Sequence, residues 1–478
     1  MNFFSKWKQM PNSVKSSVAF AVSSFVLQGM SFLTTPIFTR IMEQTQYGLI
    51  ATYNSWLSVV EVFAVLGFTS AGLFNCGLNE YRDNRDKYIF SVLTLGNVAT
   101  VIVFGFIFII KRFFVADFIM DDNLIVLMFI HFIFYPAQIF WVTRQRYEYK
   151  YNLATIVTIG SAAFSQVIAV IAVISAECNR GEVKLWANEI GWIAFCIPIY
   201  IFLFIKGLNA DNKERWKKIF ILAVPLIPHY LAQHVMSSAD RIMITNFVSQ
   251  ADTGIYNVIA NVSMISVIFW NAINASLIPY TYDKINKGGY KPLNAIIKHL
   301  VIGYGIICVC IVMIAPEVLL VLAPKEYYDG VFAIPPIVAV AFLCAFYNLY
   351  ANVEFYHKKS TSIAMATIVA ATANIGLNAL LIPYFSYIGA AYATLLSNIV
   401  LLIMHYRGYI HCSCGRIYED KILVLIASFV VGICILFTVL YLSTLIRYGI
   451  IVVMLTLIVI NREVLKEKIN GVKGELKK

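Results

Sequence analysis

The stretch "MSSADRIMITNF", Met236–Phe247, sets an acid beside a base, Asp240 and Arg241. It closes a run from Ile219 that is otherwise nearly free of charge. A planar, permanently charged guanidinium is suited to holding an anion through two oxygens at once. Asp240 is then its brace or its exchangeable partner. A second guanidinium, Arg40, ends the first apolar run of the chain, and Glu61 stands alone in "WLSVVEVFAVLGF" with no Lys or Arg in its span. A lone carboxylate there is either a protonated group held by a neighbouring helix or a coupling site that takes up H+ or Na+. Softer polar groups accompany these charges. At 100° per residue Asn257, Asn261 and Asn271 fall within an arc of about 80°, with Asn274 at its edge. His234, with His229 and Gln233, precedes the Asp-Arg pair, and Gln28 lies in the first run. One such residue is commonly glue between helices; a stripe of them is more than glue needs. Arg40, Arg241, Asn257, Asn261, Asn271, His234 and Gln28 are therefore the candidate substrate-binding residues. Glu61 and Asp240 are the candidate coupling residues.

The elements that must carry them are membrane-grade. The chain has 478 residues, 60% of them hydrophobic and only 13% charged, and its mean hydropathy is +0.76. A soluble chain would carry about 25% charged residues. Runs long enough to span a bilayer, about 20 helical residues each, fall at 16–38, 48–74, 88–110, 123–142, 152–175, 185–205, 219–247, 254–279, 294–315, 330–353, 361–382, 387–406, 421–443 and 446–461. The expectation is an all-α integral membrane protein of about fourteen helices. Nothing at the N-terminus reads as a cleavable signal. Counting about 1.5 Å per residue, Arg241 lies about 33 Å above Ile219 and Arg40 about 36 Å above Ser16. Both are then close to one interface, where snorkelling is the plain alternative to a cleft role. Glu61 is deeper, about 20 Å from Gly48. Lys298, Glu189, Glu317 and Glu354 read as interfacial.

Loop charges give the orientation. With the N-terminus inside, 28 Lys and Arg fall on the cytoplasmic side, 7 outside and 2 within spans. Both termini are then cytoplasmic, and the net charge of +11 is a topology signal rather than a nucleic-acid surface. The loops exclude much else. No GxxxxGK[ST], HExxH or Ser-His-Asp pattern is legible, and no loop is long enough to fold as a domain. "HCSCG" at 411–415 lacks a second ligand pair at metal spacing. No enzyme, cofactor or metal is expected.

The chain also repeats itself. "TRIMEQTQYGLIATYNSW" in the first half and "DRIMITNFVSQADTGIYNVIANV" in the second both run from a long helix through a short polar loop to a glycine, Gly48 or Gly254, that opens the next span. The halves are read as 1–205 and 219–406, joined by a linker at 206–218, with added helices over 421–461 and a basic tail at 462–478. Repeat-built transporters place substrate where their halves meet. These segments, and above all "NALLIPYFSYIGAAYATLLSNIV" at 378–400, resemble the polysaccharide-biosynthesis flippases of the multidrug/oligosaccharidyl-lipid/polysaccharide (MOP) superfamily.

The resemblance implies a two-lobed, MATE-like fold in the bacterial inner membrane. It implies alternating access that moves an undecaprenyl-pyrophosphate-linked oligosaccharide for O-antigen, capsule or exopolysaccharide synthesis. Arg40 and Arg241 would then grip the pyrophosphate. Membrane lipids, a polysaccharide polymerase and assembly proteins are the partners to expect. A cation-coupled MATE-type multidrug antiporter and a membrane polymerase or glycosyltransferase are the alternatives.

Topology is directly testable. An impermeant thiol reagent added from outside should label Cys178 but not Cys76, Cys412 or Cys414. Outside labelling of Cys76, which precedes the basic loop "LNEYRDNRDK", would contradict the assigned orientation.

Overall fold

The computed structural model describes residues 12–69, 71–113, 120–207, 212–412 and 416–460. The expected crossings fall largely on helix, and the chain divides into two compact units, Met1–Gly254 and Ile255–Lys478. Among the described residues, eleven helical stretches are long and apolar enough to cross a membrane. It is a multi-pass membrane protein.

The first unit contains α1 (Asn12–Ile41), α2 (Gln44–Ala64), α3 (Ala71–Glu80), α4 (Arg85–Phe113), α5 (Asp122–Tyr147), α6 (Tyr151–Ser175), α7 (Arg180–Gly207), α8 (Asn212–Ala223) and α9 (Ile227–Phe247). The second expected span is not continuous. It breaks after Ala64 at Leu66 and Gly67, both in the left-handed region at φ 52° and 70°. Gly67 tolerates that backbone and admits the Tyr230 ring, 2.6 Å from where a β-carbon would sit. Pro225 and Pro228 have the effect proline should have: a 3-10 turn at Val224–Leu226 separates α8 from α9. Helix faces turned outward are apolar; Val101, Ile102 and Phe106 of α4 and Ile156 and Ile171 of α6 are all more than half exposed. In a membrane protein such a surface meets lipid.

The second unit holds most of α10 (Gln250–Asn286), then α11 (Tyr290–Leu322), α12 (Ile334–Tyr356), α13 (Ser360–Cys412), α14 (Asp420–Leu440) and α15 (Thr444–Ile460). The 53 residues of α13 form two crossings: the chain kinks at Ser386, φ 50°, three residues past Pro383. The expected split at that proline is thus a kink in continuous helix rather than a loop. Helix α12 is the centre of this unit, packing on α11, α13 and α14. The last pair of helices is tied down by a bidentate ion pair from Arg447 to Glu317, at 2.5 and 2.9 Å.

Between α5 and α6 the basic loop of the first unit is organised by one acid. Glu148 accepts from Arg144 at 2.9 Å, Lys150 at 2.7 Å and Arg85 at 3.2 Å. Arg144 also pairs with Asp86. Burial raises the Glu148 carboxyl, but the hydrogen bonds from Lys150 and Arg144 and their charges outweigh it and hold the group down at about 2. A depressed carboxylate contributes stability above its unfolded value of about 4.3 and loses it as pH falls towards the folded one. Glu148→Gln should therefore lower the Tm in detergent by a few degrees at pH 7, with the gap to wild type narrowing as pH falls below about 4. A gap that stays constant from pH 7 to pH 3 would show that the carboxylate charge is not what matters.

Candidate functional site

Helix α9 lies along α2, antiparallel to it, from the Tyr230–Gly67 contact to a contact between Thr245 and Thr52. That spans fifteen residues, about 22 Å. At the second end the helices meet without spacers. A β-carbon on Gly48 would lie 1.7 Å from the Gln250 carbonyl oxygen, and one on Gly254 would lie 2.4 Å from the Gln44 carbonyl oxygen. No real side chain fits either distance, so glycine is required at both positions. The hydroxyls of Thr52, Thr245 and Thr253 form a chain at 2.6 and 2.7 Å. The head of α7 joins the same end: Arg180 donates to the Ile41 carbonyl at 2.5 Å, and the Gly181 N–H to Gln46 Oε1 at 2.8 Å. The two glycines that mark corresponding points of the repeat are thus packed against one another's hairpin. These contacts lie at the end that the loop charges assign to the outside.

The candidate residues distribute around it. Arg40 and Arg241 adopt one arrangement, each guanidinium donating to the carbonyl four residues back, Pro36 at 2.9 Å and Ser237 at 2.8 Å. Arg40 is exposed and Arg241 half-buried, so neither guanidinium is sealed from a ligand. Asp240 is 3% exposed. Successive helical residues point 100° apart, so the acid faces inward while the arginine faces out. Glu61 is half-buried in the last turn of α2, just before the break, and its carbonyl accepts the Val65 N–H at 3.0 Å. His234 on α9 and Gln28 on α1 are half-buried as well. The packing of α2 on α9 thus brings Glu61, His234, Asp240 and Arg241 onto one helix pair. The asparagine stripe belongs to the second unit: Asn257 and Asn261 are half-buried, Asn271 is exposed, and Asn274 accepts from Asn352 at 3.0 Å.

Sequence reasoning misses two buried acid–imidazole pairs. His131 Nδ1 of α5 lies 2.9 Å from Glu189 Oε2 of α7, and His405 Nδ1 of α13 lies 2.5 Å from Glu354 Oε2 of α12. An apolar run counted from residue 185 puts Glu189 at an interface. Helix α7 begins at Arg180, so Glu189 is nine residues in, about 14 Å. His131 is also nine residues from the start of its helix at Asp122. Equal depth on helices that start from the same side is the signal that could have found the pair. Glu354 and Glu317 do lie near helix ends, yet neither is merely interfacial: Glu354 is fully buried and Glu317 anchors Arg447.

With the fold and these contacts established, the chain can be set beside known proteins. A family model described as polysaccharide biosynthesis protein matches residues 13–283. The capsular polysaccharide biosynthesis protein CapF of Staphylococcus aureus is 26% identical over 204 residues, covering 42% of this chain and 51% of that one. The lipid II flippase MurJ, in an inward closed conformation, superposes with a TM-score of 0.67 at 14% identity, over 95% of this chain and 100% of that one. An inward-facing multidrug resistance MATE family transporter of the MOP superfamily gives 0.60 at 12% identity, over 85% and 95%. At such identities the structural likeness is one of fold. More than half of the chain lies within the family model, and the chain belongs to the polysaccharide biosynthesis protein family, as a membrane protein with a MurJ- and MATE-like transporter fold.

Proposed function

We propose that this protein is a flippase that moves an undecaprenyl-pyrophosphate-linked oligosaccharide across the bacterial plasma membrane by alternating access. It would serve O-antigen, capsule or exopolysaccharide synthesis. The observation that carries the reading is the glycine clasp. A contact at which Gly48 and Gly254 admit no side chain is built to shut completely. Its short hydroxyl bonds are of a kind that can part again, since water can replace them. Arg40 and Arg241, one on each side of the repeat and each resting on its own helix turn, supply permanent charge for a pyrophosphate next to that clasp.

The finer assignments follow. The lobes correspond to 1–205 and 219–406, with both termini cytoplasmic. Substrate is held by Arg40, Arg241, Gln28, His234 and the asparagines at 257, 261 and 271. Glu61 and Asp240 couple the cycle to H+ or Na+. Helices α14 and α15 add an apolar surface for the prenyl chain. A cavity of about 520 Å³ beside α14, lined by Ile302, Ile306, Val309, Leu425 and Phe429, supports that role. Membrane lipids, a polymerase and assembly proteins are the partners. A MATE-type antiporter would share the fold but confer drug efflux and leave surface polysaccharide untouched.

Membrane abundance and surface polysaccharide, measured side by side in a complemented deletion strain, test the reading. Arg241→Lys should export weakly and Arg241→Ala hardly at all, both at normal abundance, because Lys keeps the charge and loses the fork. Glu61→Gln should insert normally and lose its response to the ion gradient, since Gln keeps the shape of a protonated Glu. If Arg241→Ala and Asp240→Asn both lose abundance and a doubly apolar variant regains it, the pair is a structural brace. Normal export by Arg241→Ala at normal abundance would remove the phosphate grip altogether.

A further inference from the structure

The two His–Glu pairs sit on corresponding helices of the two halves, the fourth and sixth crossings of each, but they are not chemically alike. In the second unit both oxygens of Glu354 are used: Oε2 faces His405 at 2.5 Å, and Oε1 accepts from Ser362 at 2.6 Å. Glu354 and His405 are 0% and 2% exposed, and a β-carbon on Gly408 would lie 1.9 Å from Glu354 Oε1, so nothing more can enter. That pair is complete. In the first unit Glu189 is 7% and His131 9% exposed, yet only Oε2 of Glu189 is bonded. Its Oε1 is buried with no hydrogen-bond partner. The Tyr53 hydroxyl of α2, which lies within electrostatic reach of Glu189, is also buried and unpartnered. Leaving a buried polar group unmatched is costly, and more so for a charged one. Both groups stand in one helix cluster, so Glu189 keeps an oxygen that its imidazole partner does not use.

The groups facing this site come from every helix around it. Helix α2 brings Tyr53 and Glu61. Helix α5 brings Tyr135, whose ring stacks on His131 at 4.4 Å and which lies within electrostatic reach of both Glu61 and Glu189. Helix α7 brings Cys196, bonded to Gln138 at 3.2 Å, and Lys184, whose Nζ rests 3.8 Å over the Phe38 ring. Helices α4 and α6 turn neutral groups this way: Asn97 to Tyr200 at 2.7 Å, Thr100 to the Ala64 carbonyl at 3.1 Å, Ser161 to Gln138 at 2.9 Å. Helix α3, with Cys76 and Glu80, meets α5 around Phe140 and Tyr147, more than two turns from His131.

We propose that His131 and Glu189 form a proton-binding site that couples transport to the proton gradient. The donor set favours H+ over Na+, for a ring nitrogen facing one carboxylate oxygen shares a proton, whereas alkali cations want a shell of oxygens. With one proton the pair is a neutral imidazolium–carboxylate and its charges cancel. Without it the pair carries one negative charge, which burial disfavours; the Tyr53 hydroxyl lies within electrostatic reach of it. The proton comes from water on one face and returns to water on the other. Glu61, in the last turn before the break in the second crossing, lies within electrostatic reach of Tyr135, whose ring stacks on His131. The coupling half of this inference rests on the flippase reading; proton binding itself does not.

The test uses the full-length purified protein. Proton uptake on stepping from pH 8 to pH 5 in unbuffered detergent solution is measured for wild type, Glu189→Gln, His131→Asn and Glu354→Gln. Glu189→Gln and His131→Asn should each take up one proton fewer than wild type, and Glu354→Gln as many as wild type. Equal uptake by wild type and Glu189→Gln would overturn the site; if Glu189→Gln fails to insert, equal uptake by wild type and His131→Asn overturns it in the same way. In liposomes with an imposed pH gradient, Glu189→Gln should flip a fluorescent undecaprenyl-pyrophosphate oligosaccharide at least tenfold more slowly than wild type, with downhill flipping retained. Gradient-driven flipping undiminished in Glu189→Gln would overturn the coupling. A lost proton in a protein whose wild type moves no such lipid would leave the site standing and overturn the flippase reading instead.

Discussion

The interior of a bilayer offers no hydrogen bonds, so every polar group that stays there must be matched by the protein itself. That constraint organises both units. It explains why Thr100 donates to the carbonyl of Ala64, where α2 stops, and why the kink at Ser386 follows a proline within otherwise unbroken helix. It also explains why Asn374 is spent on Ser397 and Asn378 inside a single bent helix. Where the rule is obeyed the polar residue is a fastener. Glu189 Oε1 and the Tyr53 hydroxyl are among the buried polar atoms left without a hydrogen-bond partner, and the proposed proton site rests on these two because they share one helix cluster.

The clasp shows the same economy in steric form. Bringing two hairpins to backbone contact requires positions with no side chain, and Gly48 and Gly254 supply one each. Backbone contact excludes water and lipid more completely than interdigitated side chains. It also leaves few rotamers to be fixed and released in each cycle. Three threonine hydroxyls beside it add directional bonds that water can replace when the hairpins separate.

Much of this is legible in the sequence. Apolar runs and loop charges set the helices and their expected orientation, because a bilayer imposes length and sidedness directly. The repeat around Gly48 and Gly254 is legible as a pattern of turn and helix start. That the two glycines meet is not, since periodicity along a chain says nothing about which hairpins touch. The break after Ala64 is hidden because "VLGF" is as apolar as the helix it interrupts. The buried pairs are hidden for a different reason. Hydropathy locates a span to within a turn, and one turn of error moves Glu189 from mid-helix to an interface. Among the candidates, Arg40 and Arg241 gain a shared geometry, while the asparagines remain a stripe on one helix of the second unit.

The central claim is that the clasp must open and close for substrate to pass. Thr52 and Thr245, whose hydroxyl oxygens are 2.6 Å apart, are placed for a disulfide in the double variant Thr52→Cys, Thr245→Cys. In liposomes carrying a fluorescent undecaprenyl-pyrophosphate oligosaccharide, oxidation of that variant should stop translocation and reduction should restore it, with the single variants unaffected. Translocation continuing at the reduced rate while the disulfide is fully formed would contradict the account.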